Sequence, residues 1–326
     1  MKRIKNRLIA ICLASWCLLL PGGAFAAEDN IAEAARSIAR GLSDRLQSHV
    51  THVLIGNLTL QDTRLSSEFA DHMKRYLEAE LKRSGDFKSV KLQRTMRTRA
   101  FSFREDEEVP QREEFATLSG RYWLAGDSLF VSTHLLNAKG KKLSEYEVEI
   151  ARSAIPWSVV PENMDKVRET ESRFSWLPAL TSDFPVRLQI DRGNGGVYRN
   201  GERLRVFFRT SRDCHLRVLY IDADQNWILM YPTKRDNEKE MLKVDREYSL
   251  HARNEYTVRP PFGSESIRAF CSSRRQRLDK AVALGGGFRG FDKTARIGET
   301  INSLRGLGVA GPLETAEAIV YLTTIP

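Results

Sequence analysis

The sequence predicts an α+β protein: a small α/β domain with an antiparallel meander, followed by a β-sandwich. Three observations predict it. Two helical patterns alternate with short apolar runs between residues 31 and 92. Three alternating segments separated by turn residues follow between 117 and 150. From Phe184 onward the chain breaks into short strand-like runs punctuated by Gly, Pro and Asn.

The chain opens with Lys2, Arg3, Lys5 and Arg7 and no acid, then an apolar stretch from Leu8 to Leu20. Pro21, Gly22 and Gly23 interrupt it, and Ala24-Phe25-Ala26 places small residues three and one before a cut. That order is the secretory signal pattern, with residues 1–26 removed between Ala26 and Ala27. A run of about 13 apolar residues falls short of the roughly 20 needed to span a bilayer. Cys12 and Cys17 follow Ile11 and Trp16, poor neighbours for a lipidation cysteine, so a free periplasmic protein with no later transmembrane segment is expected.

Ile31, Ala34, Ala35, Ile38, Leu42 and Leu46 fall at helical spacing behind Asp29 or Asn30 as cap. His52 to Leu58 reads as a buried strand. Phe69, Met73, Tyr76, Leu77 and Leu81 mark a second helix. Ser66 or Ser67 caps it, Glu68 and Asp71 suit its positive end, Lys82 and Arg83 its negative end, and Gly85 stops it. Phe87 to Leu92 is another strand. Residues 93–114 turn strongly charged, with Arg94, Arg97, Arg99 and Arg104 before four consecutive acids, as in an exposed loop. Thr117–Leu124, Ser128–Leu136 and Lys142–Ile150 are strands joined by turns at Gly126-Asp127 and Asn137–Gly140. In the last, Tyr146, Val148 and Ile150 alternate with Glu145, Glu147 and Glu149, giving one core face and one wet face.

This first domain spans residues 27–155. Residues 156–183, with three prolines and two tryptophans, read as a linker holding a short helix. Residues 184–272 form the sandwich, from strands at Val186–Ile190, Arg203–Arg209, Cys214–Ile221, Trp227–Tyr231, Glu247–Leu250 and Ile267–Cys271. Residues 273–326 are a basic, then glycine-rich tail whose apolar end, Ala318 to Thr324, returns to a sheet.

Only Cys214 and Cys271 survive signal removal. An oxidising compartment and an even count favour a disulfide between them. Removing four basic residues and no acid lowers the net charge from +9 to +5. That modest excess does not suit a nucleic-acid-binding face.

Two segments resemble known families. Phe184-Pro185-Val186, Tyr198–Glu202, Leu219–Asp222, Leu229–Pro232 and Pro261–Glu265 resemble a bacterial domain of unknown function often appended to caspase-like and kinase-like modules. The resemblance implies an immunoglobulin-like accessory domain without catalytic residues. Leu54–Asn57, the helix Phe69 to Leu81, Leu118–Trp123 and Leu135–Gly140 are similar to envelope assembly domains. These are the curli-secretion channel, flagellar outer-ring and peptidoglycan-synthase-activator families. The resemblance implies a protein partner in the envelope or self-association.

Other motifs fail on chemistry. Gly306–Gly311 spells a dinucleotide pattern, but Pro312 follows at once and no acid lies about 20 residues on. Gly287–Thr294 approximates a phosphate loop, with Asp292 where glycine must expose N–H groups. Asp222, Asp224 and Asn226 open like a calcium loop, yet Trp227 replaces its glycine and Thr233 its bidentate glutamate. No HExxH or GxSxG occurs among the residues, so neither cofactor nor metal nor catalytic group is expected. The expected function is a non-catalytic periplasmic interaction or assembly factor. The alternatives are a regulator of an envelope enzyme such as a peptidoglycan synthase, or an envelope hydrolase with unrecognised carboxylates. Arg97, Phe101 and Phe103 are the candidate partner contacts, since aromatic and arginine side chains anchor interfaces.

Overall fold

The structure, a computed structural model, describes residues 22–46, 50–93, 115–175, 184–233, 236, 241–244, 246–250, 256–275, 281–284, 288–291 and 314–326. The chain is α+β. Helix α1 (Gly22–Asp44) starts ahead of the expected caps Asp29 and Asn30, because the alanine-rich stretch before them favours helix. It runs through the expected cleavage position at Ala26 and Ala27.

Strands β1 (His52–Leu60), β2 (Ser89–Leu92), β3 (Phe115–Ala125), β4 (Ser128–Asn137) and β5 (Lys142–Ala151) form one sheet in the order β2-β1-β3-β4-β5. β1 runs parallel to both neighbours, with α2 (Glu68–Ser84) crossing between β1 and β2. β3, β4 and β5 are the expected antiparallel meander. Ser67 is the N-cap of α2, but its hydroxyl accepts from Tyr122 Oη at 2.8 Å instead of capping the helix. Gly85 closes the helix at φ 77°, a left-handed conformation glycine adopts without a Cβ clash.

Both helices lie on one face of this sheet. Ile31, Ile38 and Leu42 of α1 and Phe69, Met73, Leu77 and Leu81 of α2 share a core with Val53, Ile55, Leu118, Val131 and Leu135. Burying each such side chain contributes roughly 1.5–3 kcal/mol, so packing more than helix propensity holds α1 and α2.

The second domain contains β6 (Val186–Ile190), β7 (Gly196–Arg199), β8 (Arg203–Leu204), β9 (Val206–Thr210), β10 (His215–Ile221) and β11 (Trp227–Tyr231). It continues with β12 (Tyr248–Ser249), β13 (Tyr256–Thr257), β14 (Gly263–Ser272), β15 (Ala281–Ala283), β16 (Arg289–Phe291) and β17 (Thr315–Ile325). A seven-stranded sheet, β15-β16-β11-β10-β14-β17-β7, shares its core with a three-stranded sheet, β12-β9-β6. Ile190 and Phe208 from the small sheet meet Val218, Ile267 and Leu322 from the large one, which makes a sandwich.

One expected strand comes out differently. Arg203 to Arg209 is not one strand. The Arg205 carbonyl accepts the Asp191 N–H, the Asp191 carboxylate accepts the Arg205 N–H at 3.1 Å, and the chain bends there. β8 therefore pairs with β13, and β9 pairs with β6 and β12. The final strand, β17, is an inner strand, antiparallel to β14 and parallel to β7.

Within residues 156–183, helix α3 (Met164–Ser175) packs on the seven-stranded sheet. Phe174 stacks on Trp227 and Phe270 with centroids 5.5 and 6.5 Å away, and the Arg268 guanidinium lies 3.6 Å above its ring. Among the described residues, no helix is long and apolar enough to cross a membrane.

Candidate functional site

Through β3 and β4 buried and part-buried residues alternate, so the residues out of phase with the core share the face opposite α1 and α2. Across β3, β4 and β5 the register sets Trp123 beside Phe130 and Glu149, and Arg121 beside Ser132 and Glu147. Ser119, His134 and Glu145 form the next row. Trp123 and Phe130 stack at 5.5 Å between centroids, and both are half-buried. His52 and Phe115 stack at 4.6 Å toward the other end of the face. Glu145, Glu147 and Glu149 are exposed along β5. The result is an aromatic strip bordered by an acidic column on a face that, among the described residues, carries no helix. The signal for it was present in the sequence, as Trp123 and Phe130 in the polar phase of the alternation.

Ser119 Oγ lies 3.0 Å from His134 Nε2, a pairing the sequence did not suggest because the two residues sit on different strands. Burial, then Arg121 and Lys142, lower the His134 pKa. Glu145, opposite His134, is bonded to Lys142 at 2.5 Å, which lowers its own pKa. The Glu145 carboxylate thus serves Lys142 and does not orient the imidazole, as a catalytic third member would have to do.

The two domains meet in a polar seam. Asn57 Nδ2 donates to the carbonyls of Arg192 and Asn194 at 2.8 and 2.9 Å, while Lys74 Nζ donates to Asn57 Oδ1 at 2.9 Å and so orients the amide. Thr323 Oγ1 donates to the Ser66 carbonyl at 2.6 Å, and Ser264 donates twice to the Glu162 carbonyl. Arg199 reaches Asp71 at 3.6 Å and His72 Nε2 at 3.4 Å, and His72 stacks on Trp157 at 3.9 Å. Burial, then Arg75 and Arg199, lower the His72 pKa. At Gly195, φ is 80° and an added Cβ would stand 2.7 Å from the Arg64 carbonyl, so the two backbones approach here only without a side chain.

The sandwich holds a cleft of about 400 Å³ lined by Leu204, Tyr220, Ile228, Met230, Tyr256 and Phe288, among others. Behind it, Tyr220 Oη donates to Glu265 Oε2 at 2.5 Å and Thr324 Oγ1 to Glu265 Oε1 at 2.9 Å. Burial pushes the Glu265 carboxyl up to about 8, and neighbouring Asp222 adds to the rise.

Of the residues singled out from the sequence, Cys214 and Cys271 are joined in a disulfide with Cα atoms 5.5 Å apart. The bond ties the residue just before β10, whose backbone bridges to Leu242, to Cys271 of the adjacent strand β14. Arg97, Phe101 and Phe103 lie outside the described residues, as does Gly306–Gly311. Of Gly287–Thr294, residues 288–291 are described, and Arg289–Phe291 form strand β16. Asp222 caps its own turn: Oδ1 accepts the N–H groups of Asp224 and Asn226, and Oδ2 accepts Asn226 Nδ2. Among the described residues, no group of three or more His, Cys, Asp or Glu side chains could hold a metal ion.

Residues 197–275 match the family described as Domain of unknown function (DUF4384). The matched segment runs from β7 past β14. It includes the disulfide, the cleft's Tyr220 and Glu265, and neither β6 nor β17. No curated protein matches the chain. Among solved structures, the chain is similar to the LpoB C-terminal domain from Salmonella enterica, at 13% identity and a TM-score of 0.26, covering 35% of this chain and 96% of that one. It is likewise similar to the LpoB C-terminal domain from Escherichia coli, at 10% identity and a TM-score of 0.25, covering 36% of this chain and 98% of that one.

Proposed function

We propose that this chain is a non-catalytic interaction or assembly factor of the bacterial cell envelope, exported by residues 1–26, and that the open face of its five-stranded sheet makes the contact. The observation that carries the reading is the stacked Trp123–Phe130 pair, half-buried beside exposed Glu145, Glu147 and Glu149. Aromatic side chains with a polar border are the usual composition of an interface anchor. The acidic column favours a partner surface carrying arginine or lysine.

The second reading, a regulator of an envelope enzyme such as a peptidoglycan synthase, has a specific support. The segments that resemble envelope assembly domains, activators among them, are Leu54–Asn57, Phe69–Leu81, Leu118–Trp123 and Leu135–Gly140, and they fall on or beside β1, α2, β3 and β4. Trp123 is among them.

The test is in-cell photocrosslinking from positions 123 and 130, with position 282 on β15 as the control, and mass spectrometry of the products. Crosslinks to one envelope protein, or to a second copy, from 123 and 130 and not from 282 support the reading. Glu147→Arg should remove them while leaving the melting temperature unchanged. Crosslinks that come only from 282, or that survive Glu147→Arg and Trp123→Ala together, would reject the open face as the contact.

A further inference from the structure

We infer that the cleft in the sandwich is a binding site for a small amphiphilic carboxylate, an apolar chain or ring system ending in one carboxylate. The cleft is large enough: about 400 Å³ falls within the range of small-molecule sites. Its walls are apolar and aromatic, with Leu204, Met230 and Val258 buried behind half-buried Tyr220, Ile228 and Phe288. Tyr256 and Phe288 both line it and touch each other, with ring centroids 6.1 Å apart and tilted by 40°.

The polar groups decide the sign of the ligand. The Tyr220 hydroxyl is committed to Glu265, and both Asp222 oxygens accept N–H groups of their own turn. Both groups already have hydrogen-bond partners within the fold. Arg259 is different. It is exposed at the mouth of the cleft and has no hydrogen-bond or ion-pair partner among the described residues. An apolar cavity with one unpaired guanidinium at its entrance is complementary to a molecule that buries an apolar body and leaves an anionic end outside. Guanidinium and carboxylate pair through two parallel hydrogen bonds, so a terminal carboxylate suits this mouth. The carboxyl behind Tyr220 holds its proton at neutral pH and adds little repulsion.

The probe is dodecanoate below its micellar concentration, titrated calorimetrically into the full chain lacking residues 1–26, with dodecylamine as the charge-reversed control. Dodecanoate should bind at one site and dodecylamine at least tenfold more weakly. Arg259→Ala removes an exposed side chain and leaves the fold intact. It should weaken dodecanoate by about tenfold, the equivalent of one charge-assisted pair. Arg259→Glu should reverse the preference between the two probes. Ile228→Trp, checked for an unchanged melting transition, should fill the cleft and abolish binding. A peptide ending in a free leucine carboxylate, compared with its amide, separates the other source of the same chemistry. Binding of the peptide but not of dodecanoate would overturn the assignment to a small amphiphile. Equal binding of dodecanoate and dodecylamine, or dodecanoate binding untouched by Arg259→Glu, would overturn the site itself.

Discussion

Glu265 offers the sharpest test of the packing described above. It is completely buried in β14, and its carboxyl is pushed up to about 8 from an ordinary 4.5. The sign follows from proton counting. Between pH 4.5 and 8 the folded state holds a proton on Glu265 that the unfolded state has released. Stability from this group is therefore highest in acid and falls as pH rises toward 8. Each unit of pKa difference is worth about 1.36 kcal/mol, which gives a loss of about 2.5 kcal/mol from pH 5 to pH 7, and about 3.5 by pH 8. Glu265→Gln removes the titration. Its amide oxygen still accepts from Thr324 and its NH2 can donate to the Tyr220 oxygen, so the variant should be close to wild type at pH 5 and more stable at pH 8. Urea unfolding of both proteins from pH 5 to 8 measures the difference. His72 and His134 have lowered pKa values and contribute the opposite slope, stability lost as pH falls, but they are present in both proteins and cancel. Parallel curves for wild type and Glu265→Gln would refute the buried, protonated carboxyl.

Two other outcomes test the disulfide and the seam. Replacing Cys214 and Cys271 together by Ala opens a loop with a sequence separation of 57, and chain entropy sets the expected loss at about 4 kcal/mol in non-reducing urea unfolding. Asn57→Asp replaces an amide that donates to two carbonyls with a carboxylate that repels them. It should cost about 1–3 kcal/mol and raise hydrogen exchange at Arg192–Asn194, whereas Asn57→Ala should cost less.

The local elements were legible because their causes are local. Period-3.6 spacing located α1 and α2, the glutamate alternation in β5 assigned its wet face, and Gly85 and Gly126 marked a helix end and a turn. The disulfide was expected from the export signal read in residues 1–26 and the two cysteines beyond it, and the geometry allows it. What the sequence could not show is which segments become neighbours. β17 reads as the end of a tail, yet it fills the gap between β14 and β7 because backbone groups on both need partners and its apolar side chains complete the core. Residues 156–183 read as a linker by proline content, and only the stacking of Phe174 under Arg268 against Trp227 shows α3 as part of the sandwich's outer layer. Ser119 and His134, the Trp123–Phe130 strip and the cleft behind Arg259 arise from strand register and sheet closure. Those contacts join residues distant in sequence or on separate strands, and no periodicity along one segment encodes them. Their free energy appears only when the chain has folded.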